Sequence, residues 1–162
     1  MLDYHVGDTV VHAKYGMGKV VQMDVKFIHG RQTNCYVVQL HNMVIWVTAE
    51  EQGKSGLRSP TASVDFDDLF SILSSPGEPL PTERFVRKKA LIARLNNGTL
   101  VSICTVIRDL ALFMRQKKYN EDDKAILQRA EDLLLEEWVF ARSISSSQAN
   151  DELTRLLGVV YA

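Results

Sequence analysis

Nine cationic side chains fall between residues 81 and 118: Arg84, Arg87, Lys88, Lys89, Arg94, Arg108, Arg115, Lys117 and Lys118. Only Glu83 and Asp109 oppose them, so this stretch carries a net +7 inside a chain whose total is −1. Residues 58–80 carry −3 and residues 119–162 carry −5, while the first 57 residues balance. Charge segregated in this way adds self-repulsion and is not needed for folding, which suggests a surface turned toward a polyanion. The plainer reading is two solvated helix faces whose cations meet the acidic helices in the fold. A helix turning about 100° per residue gathers Arg84, Arg87 and Arg94 within an arc of about 80°, with Lys88 about 40° beyond Arg84. Leu91 interrupts that stripe. Lys117 and Lys118 close the next helix, where cations also complement the helix dipole.

Other residues that do chemistry are not arranged for it. His5, His12, His29 and His41 lie early in the chain, none at metal-ligand spacing with another ligand. Cys35 and Cys104 sit in apolar runs and read as buried, inert thiols in a reducing compartment. Glu50-Glu51 and Glu136-Glu137 are sequence neighbours that point apart and lack a base or nucleophile beside them. Gly16-Met17-Gly18 leads into a strand, so it reads as a hairpin turn and not a phosphate loop. No nucleotide-binding, zinc-protease or serine-hydrolase motif occurs, which leaves an enzyme as the weakest class. Trp46 stands out. It shares a strand face with Val44 and Thr48, opposite the aliphatic pair Ile45 and Val47, and so points outward. It is a candidate hot spot for a protein partner or, alternatively, a contact on the helical part of the chain. Trp138 reads as ordinary helix-bundle core.

Two periodicities position these residues. Up to residue 57, Val10-Val11, Gly18–Val21, Tyr36–Leu40 and Val44–Thr48 are short β-branched and aromatic runs. The turn residues around Gly7, Gly16, His29-Gly30 and His41-Asn42 divide them, giving a small antiparallel barrel or curled sheet. Residues 58–63 have linker composition. From residue 64 the period is helical. Helices are expected over Val64–Ser75, from Thr82 to about Asn96, over Leu100–Lys118, from an Asn120 cap, and over Gln148–Leu157. Ser145, Ser146 and Ser147 read as a helix-joining turn. The expected fold is therefore α+β in two modules. They are a β-domain at 1–57 and, after the 58–63 linker, a compact bundle of about five helices at 64–162. No apolar run approaches a membrane span and no secretion signal is visible, so a cytoplasmic protein is expected.

The run from Val6-Gly7-Asp8 through Val10-Val11-His12, Gly16, Gly18 and Val20 resembles the opening of the CarD/CdnL family of bacterial transcription regulators. The same module serves as the polymerase-interacting domain of the transcription-repair coupling factor. Ser55-Gly56-Leu57-Arg58, Pro79-Leu80-Pro81 and Val106-Ile107-Arg108-Asp109-Leu110 follow in the family's order. The resemblance implies a Tudor-like (SH3-like) β-barrel that adds a strand to the β subunit of RNA polymerase. It also implies a helical domain that touches promoter DNA, where the family inserts a Trp wedge in the minor groove. By position, the polymerase contacts are Lys26, Phe27, Ile28, Val44, Trp46 and Thr48. The DNA contacts are Arg84, Phe85, Arg87, Lys88, Lys89 and Arg94. This chain departs from the family at Ala13 and Thr48, where prolines are usual, and at Arg84, which holds the wedge position. Phe85 can stand in for the wedge only if the helix starts one residue differently; otherwise it is expected in the core, paired with Ile92 at i+7.

The expected function is that of a non-catalytic, cofactor-free regulator that binds RNA polymerase and promoter DNA and modulates the open complex. As in the family, a monomer is expected. Two alternatives remain at this point: a polymerase-binding adaptor whose helical domain recruits another protein, and an unrelated helical interaction protein.

Overall fold

The computed structural model describes residues 4–49 and 56–161. The Glu50-Glu51 pair and Ser55 therefore lie outside the described residues. The chain divides into two compact units, Met1–Pro60 and Thr61–Ala162.

The first unit is an antiparallel five-stranded sheet. Its strands are β1 (Thr9–His12), β2 (Gly16–Ile28), β3 (Arg31–Gln39), β4 (Val44–Thr48) and β5 (Leu57–Arg58), in the order β4-β3-β2-β1-β5. Gly16-Met17-Gly18 opens β2 and is not itself the turn. The β2–β3 hairpin closes on two residues, His29 at φ 51° and Gly30 at φ 76°. Two successive positive φ values match the right-handed strand twist of a type I′ connection, which glycine supplies without a Cβ clash. Val21 is an extra residue between the pairs Val20↔Val38 and Gln22↔Val37. Such a bulge bends its strand and increases the local twist. One face then encloses a small core of Val10, Val20, Tyr36, Val38, Leu40, Val47, Ala49 and Leu57. The barrel expectation needs correction on one point. β4 and β5 form the two edges and do not pair among the described residues, so the curled sheet is open.

The second unit is helical. A 3-10 turn (Ser63–Asp65) leads into α1 (Phe66–Leu73), followed by α2 (Arg84–Asn96), α3 (Leu100–Gln116), α4 (Glu121–Arg142) and α5 (Ser146–Gly158), with a closing 3-10 turn at Val159–Tyr161. Caps fix the boundaries. Glu83 accepts from the Val86 N–H at 2.7 Å and starts α2 two residues later than Thr82. Asn120 and Asp123 cap α4 reciprocally, and Ser145 and Gln148 do the same for α5. Ser145 is thus a cap, and Ser146 and Ser147 are helical, so the serine run does not form the joining turn. Each capping box satisfies two N–H groups that the helix start leaves open. The core brings together Phe66, Leu69 and Leu73 of α1, Leu91 and Leu95 of α2, Ile103, Ile107 and Leu110 of α3, Leu134 and Trp138 of α4, and Leu153 of α5. No described helix is long and apolar enough to cross a membrane.

Candidate nucleic-acid and partner interfaces

Most of the cationic stretch is consumed by the bundle. Arg87 is 3% exposed, and its Nε and Nη2 donate to the two Asp123 carboxylate oxygens at 2.8 and 2.9 Å. Its Nη1 donates to the Pro81 and Thr82 carbonyls, and the guanidinium lies 4.4 Å from the Phe113 ring centroid. Hydrogen bonding to Asp123 raises the Arg87 pKa. Burial would raise that of Asp123, but the hydrogen bonds from Arg87 and from the Asn120 N–H outweigh it and hold the carboxyl below its usual range. Arg87 must therefore be removed from the expected DNA contacts. Its donors are spent tying the α2 entry to α4.

A second network does the same work around Asp109, which is 2% exposed. It accepts from Arg94 at 2.8 Å, from Arg108 at 2.9 Å and from the Glu78 N–H at 2.9 Å. Arg108 also donates to Ser75 Oγ at 3.1 Å. These bonds pin residues 75–78 against α3, where a Cβ on Gly77 would stand 2.8 Å from the Leu112 Cβ. Arg94 is thereby committed to a structural ion pair, its side chain 29% exposed. The Arg108-Asp109 pair that carried the family resemblance is a structural clamp.

Arg84 and Lys88 face Asp122, at 3.3 and 3.4 Å, and stay roughly half exposed. Lys89, Lys117 and Lys118 are exposed and form no ion pair among the described residues. The expectation for Phe85 is overturned: it is 69% exposed, with Val86 at 54% and Ile92 at 37%. Angular position explains both corrections. Arg87, Leu91 and Leu95 are the buried residues of α2. Measured from Leu91, Arg84, Arg87, Lys88 and Arg94 all lie within about 60°, whereas Phe85, Lys89 and Ile92 lie about 100–160° away. The cationic stripe looks inward, toward the acids of α3 and α4. Leu91 at its centre was the signal. The outward surface of α2 is instead an apolar strip with Phe85 near its start and Lys89 in its middle.

In the β-unit, Trp46 is 49% exposed on the edge strand β4, flanked on its face by exposed Val44 and Thr48. Its indole is held from two sides. Nε1–H donates to Asp24 Oδ2 at 3.4 Å, and the Lys26 ammonium sits 4.4 Å from the ring centroid. A cation over the face and a carboxylate at the N–H both suit the indole's charge distribution. Phe27, 74% exposed, points to the opposite face of the hairpin arm together with Val25, and Ile28 is half-buried at its end. Lys26, Trp46, Val44 and Thr48 thus lie on one face, and Phe27 lies on the other. Asp24 carries no signal in the sequence, and Asp122 reads there only as a first-turn acid of α4. Each acts through a partner distant in sequence, and no local pattern marks that.

Among the described residues no group of His, Cys, Asp and Glu could hold a metal ion. His12 serves the backbone: its Nδ1 accepts from the Lys14 and Tyr15 N–H groups at 3.1 and 3.3 Å, and burial lowers its pKa. Burial pushes the Cys104 thiol up to about 12, which makes it unreactive. A recess of about 110 Å³ between Pro79-Leu80 and the end of α3 is well below the usual volume of a ligand pocket.

Two family models match the chain. Residues 4–59 match the CarD-like/TRCF RID domain, and residues 68–154 match the CarD C-terminal domain. A protein of Bacillus subtilis (strain 168) named as a candidate transcription factor, YdeB, is 23% identical over 150 residues, spanning 90% of this chain and 96% of that relative.

Proposed function

The chain belongs to the CarD family of transcription regulators, with an RNA polymerase-interacting domain at its N-terminus, and from that premise we propose how it acts. The β4 edge pairs with a strand of the polymerase β subunit, main chain to main chain, with Trp46 as the central anchor and Lys26 beside it. The partner strand satisfies N–H and C=O groups that an edge strand otherwise leaves to water. The outward surface of α2 meets promoter DNA. Phe85 supplies the apolar ring for insertion at a base step, and Lys89 contacts a flanking phosphate, with Arg84 available to a second only when it leaves Asp122. The protein works without catalysis, as a monomer, and reaches the nucleoid through polymerase. Its effect is on the open complex, which it stabilises or otherwise modulates.

The observation that carries this reading is the exposed Phe85 at the first turn of α2, next to Arg84 and one turn before Lys89. An aromatic side chain left in water beside cations fits DNA better than a further helix. The test has two arms. Capture of a β-subunit fragment is expected from the wild type and not from Trp46→Ala, and DNA anisotropy at low salt is expected to fall on Phe85→Ala. Unchanged capture removes the β4 assignment, and unchanged anisotropy removes the α2 assignment. The adaptor reading retains one specific support, because Asp109, Asp122 and Asp123 pair with five of the nine cations. It predicts polymerase binding with no DNA affinity at low salt.

A further inference from the structure

We propose that Asp122 is a built-in restraint on DNA binding, holding Arg84 and Lys88 away from phosphate. The inference rests on the DNA reading above and adds a residue that limits affinity. Asp122 lies in the first turn of α4 and presents one carboxylate oxygen to each cation, Oδ2 to Arg84 at 3.3 Å and Oδ1 to Lys88 at 3.4 Å. Its side chain is 30% exposed, against 55% for Arg84 and 42% for Lys88. These pairs are therefore open to solvent and contribute little to stability. Neighbouring Asp123 has a different task, since it is buried, caps α4 and locks Arg87. The fold thus contains one acid that locks it and, next to it, one whose structural part beyond these exposed pairs is a first-turn charge that Glu121 also supplies. Arg84 is one helical residue from exposed Phe85, so a phosphate near the inserting ring must compete with Asp122 for both cations. A phosphate group that displaces the carboxylate leaves it close by and unpaired, and that like-charge contact weakens binding further.

Removal of this charge is expected to increase affinity, a direction that misfolding does not produce. The variant is Asp122→Asn. Its control is Glu121→Gln, which changes net charge equally in the same helical turn and frees no cation, since Glu121 forms no ion pair among the described residues. Binding of the full chain to a fluorescein-labelled DNA duplex is followed by anisotropy between about 50 and 200 mM salt. One or two recovered phosphate contacts steepen the log–log salt slope by about 0.9–1.8. Over that fourfold salt range each such contact strengthens the salt dependence about 3.5-fold, so the gain of Asp122→Asn is largest at low salt. Combining Asp122→Asn with Arg84→Gln and Lys88→Gln abolishes the gain. If the wild type binds and Asp122→Asn binds no tighter, or Glu121→Gln gains as much, the restraint is refuted while the DNA reading stands. If neither wild type nor Asp122→Asn binds at low salt, both fall together.

Discussion

A buried charge behaves differently from an exposed one of the same type, and neighbours on α2 show it. Arg87 has its donors satisfied inside the bundle, so its removal strands Asp123, which is 1% exposed. Loss of one partner of a buried pair typically costs about 3–5 kcal/mol. Arg87→Ala is expected to lower the unfolding free energy from urea melts by that amount, whereas Lys89→Ala leaves it unchanged within error. His12 gives a pH signature at the same scale. Its neutral Nδ1 accepts two backbone N–H groups, and its folded pKa is depressed below 6.5. The unfolded chain therefore binds the proton more readily. This contribution is full above pH 6.5 and declines as pH falls through the folded pKa. Urea melts across this window are expected to show a slope in the wild type that His12→Asn reduces. An equal slope in both would exclude His12 as its source.

The elements show which parts of this architecture were legible in the chain. Helix and strand periods gave the two modules, and Asn120 was read correctly as a cap because its oxygen bonds the Asp123 N–H at 2.9 Å. Asn120→Ala is expected to cost about 1 kcal/mol in thermal or urea unfolding. The inward turn of the cationic stripe was offered only as the plainer alternative, cations meeting acidic helices, although Leu91 within the 80° arc pointed to it. A long, charged Arg normally reads as surface, and only the acids of α3 and α4 reverse that rule. Phe85 was assigned to the core on its i+7 spacing from Ile92, and the two do share a helix face, but it is the outward one. The length of β2 escaped the reading because Gln22–Ile28 lacks a continuous β-branched run and its pairing with β3 is settled by the His29-Gly30 turn. Edge strand β4, in contrast, followed from alternation alone. As a hot spot, Trp46→Ala is expected to weaken capture of the β-subunit fragment by about 30-fold or more, near 2 kcal/mol. Asp24→Asn, which keeps the side-chain volume but loses the carboxylate at the indole N–H, is expected to weaken it less.

At the scale of the whole molecule, the account assigns one contact to each unit, polymerase to the open edge of the sheet and promoter DNA to the outer strip of α2. Neither unit alone then suffices, because weak, salt-sensitive DNA binding becomes effective only when polymerase supplies a high local concentration. The most direct test is the lifetime of the promoter open complex, measured after competitor challenge with polymerase alone and with wild type, Trp46→Ala or Phe85→Ala. The account predicts that the wild type changes the lifetime and that each substitution returns it to the value for polymerase alone. It would be contradicted if wild-type protein bound to polymerase left the lifetime unaltered, or if Phe85→Ala acted as strongly as the wild type.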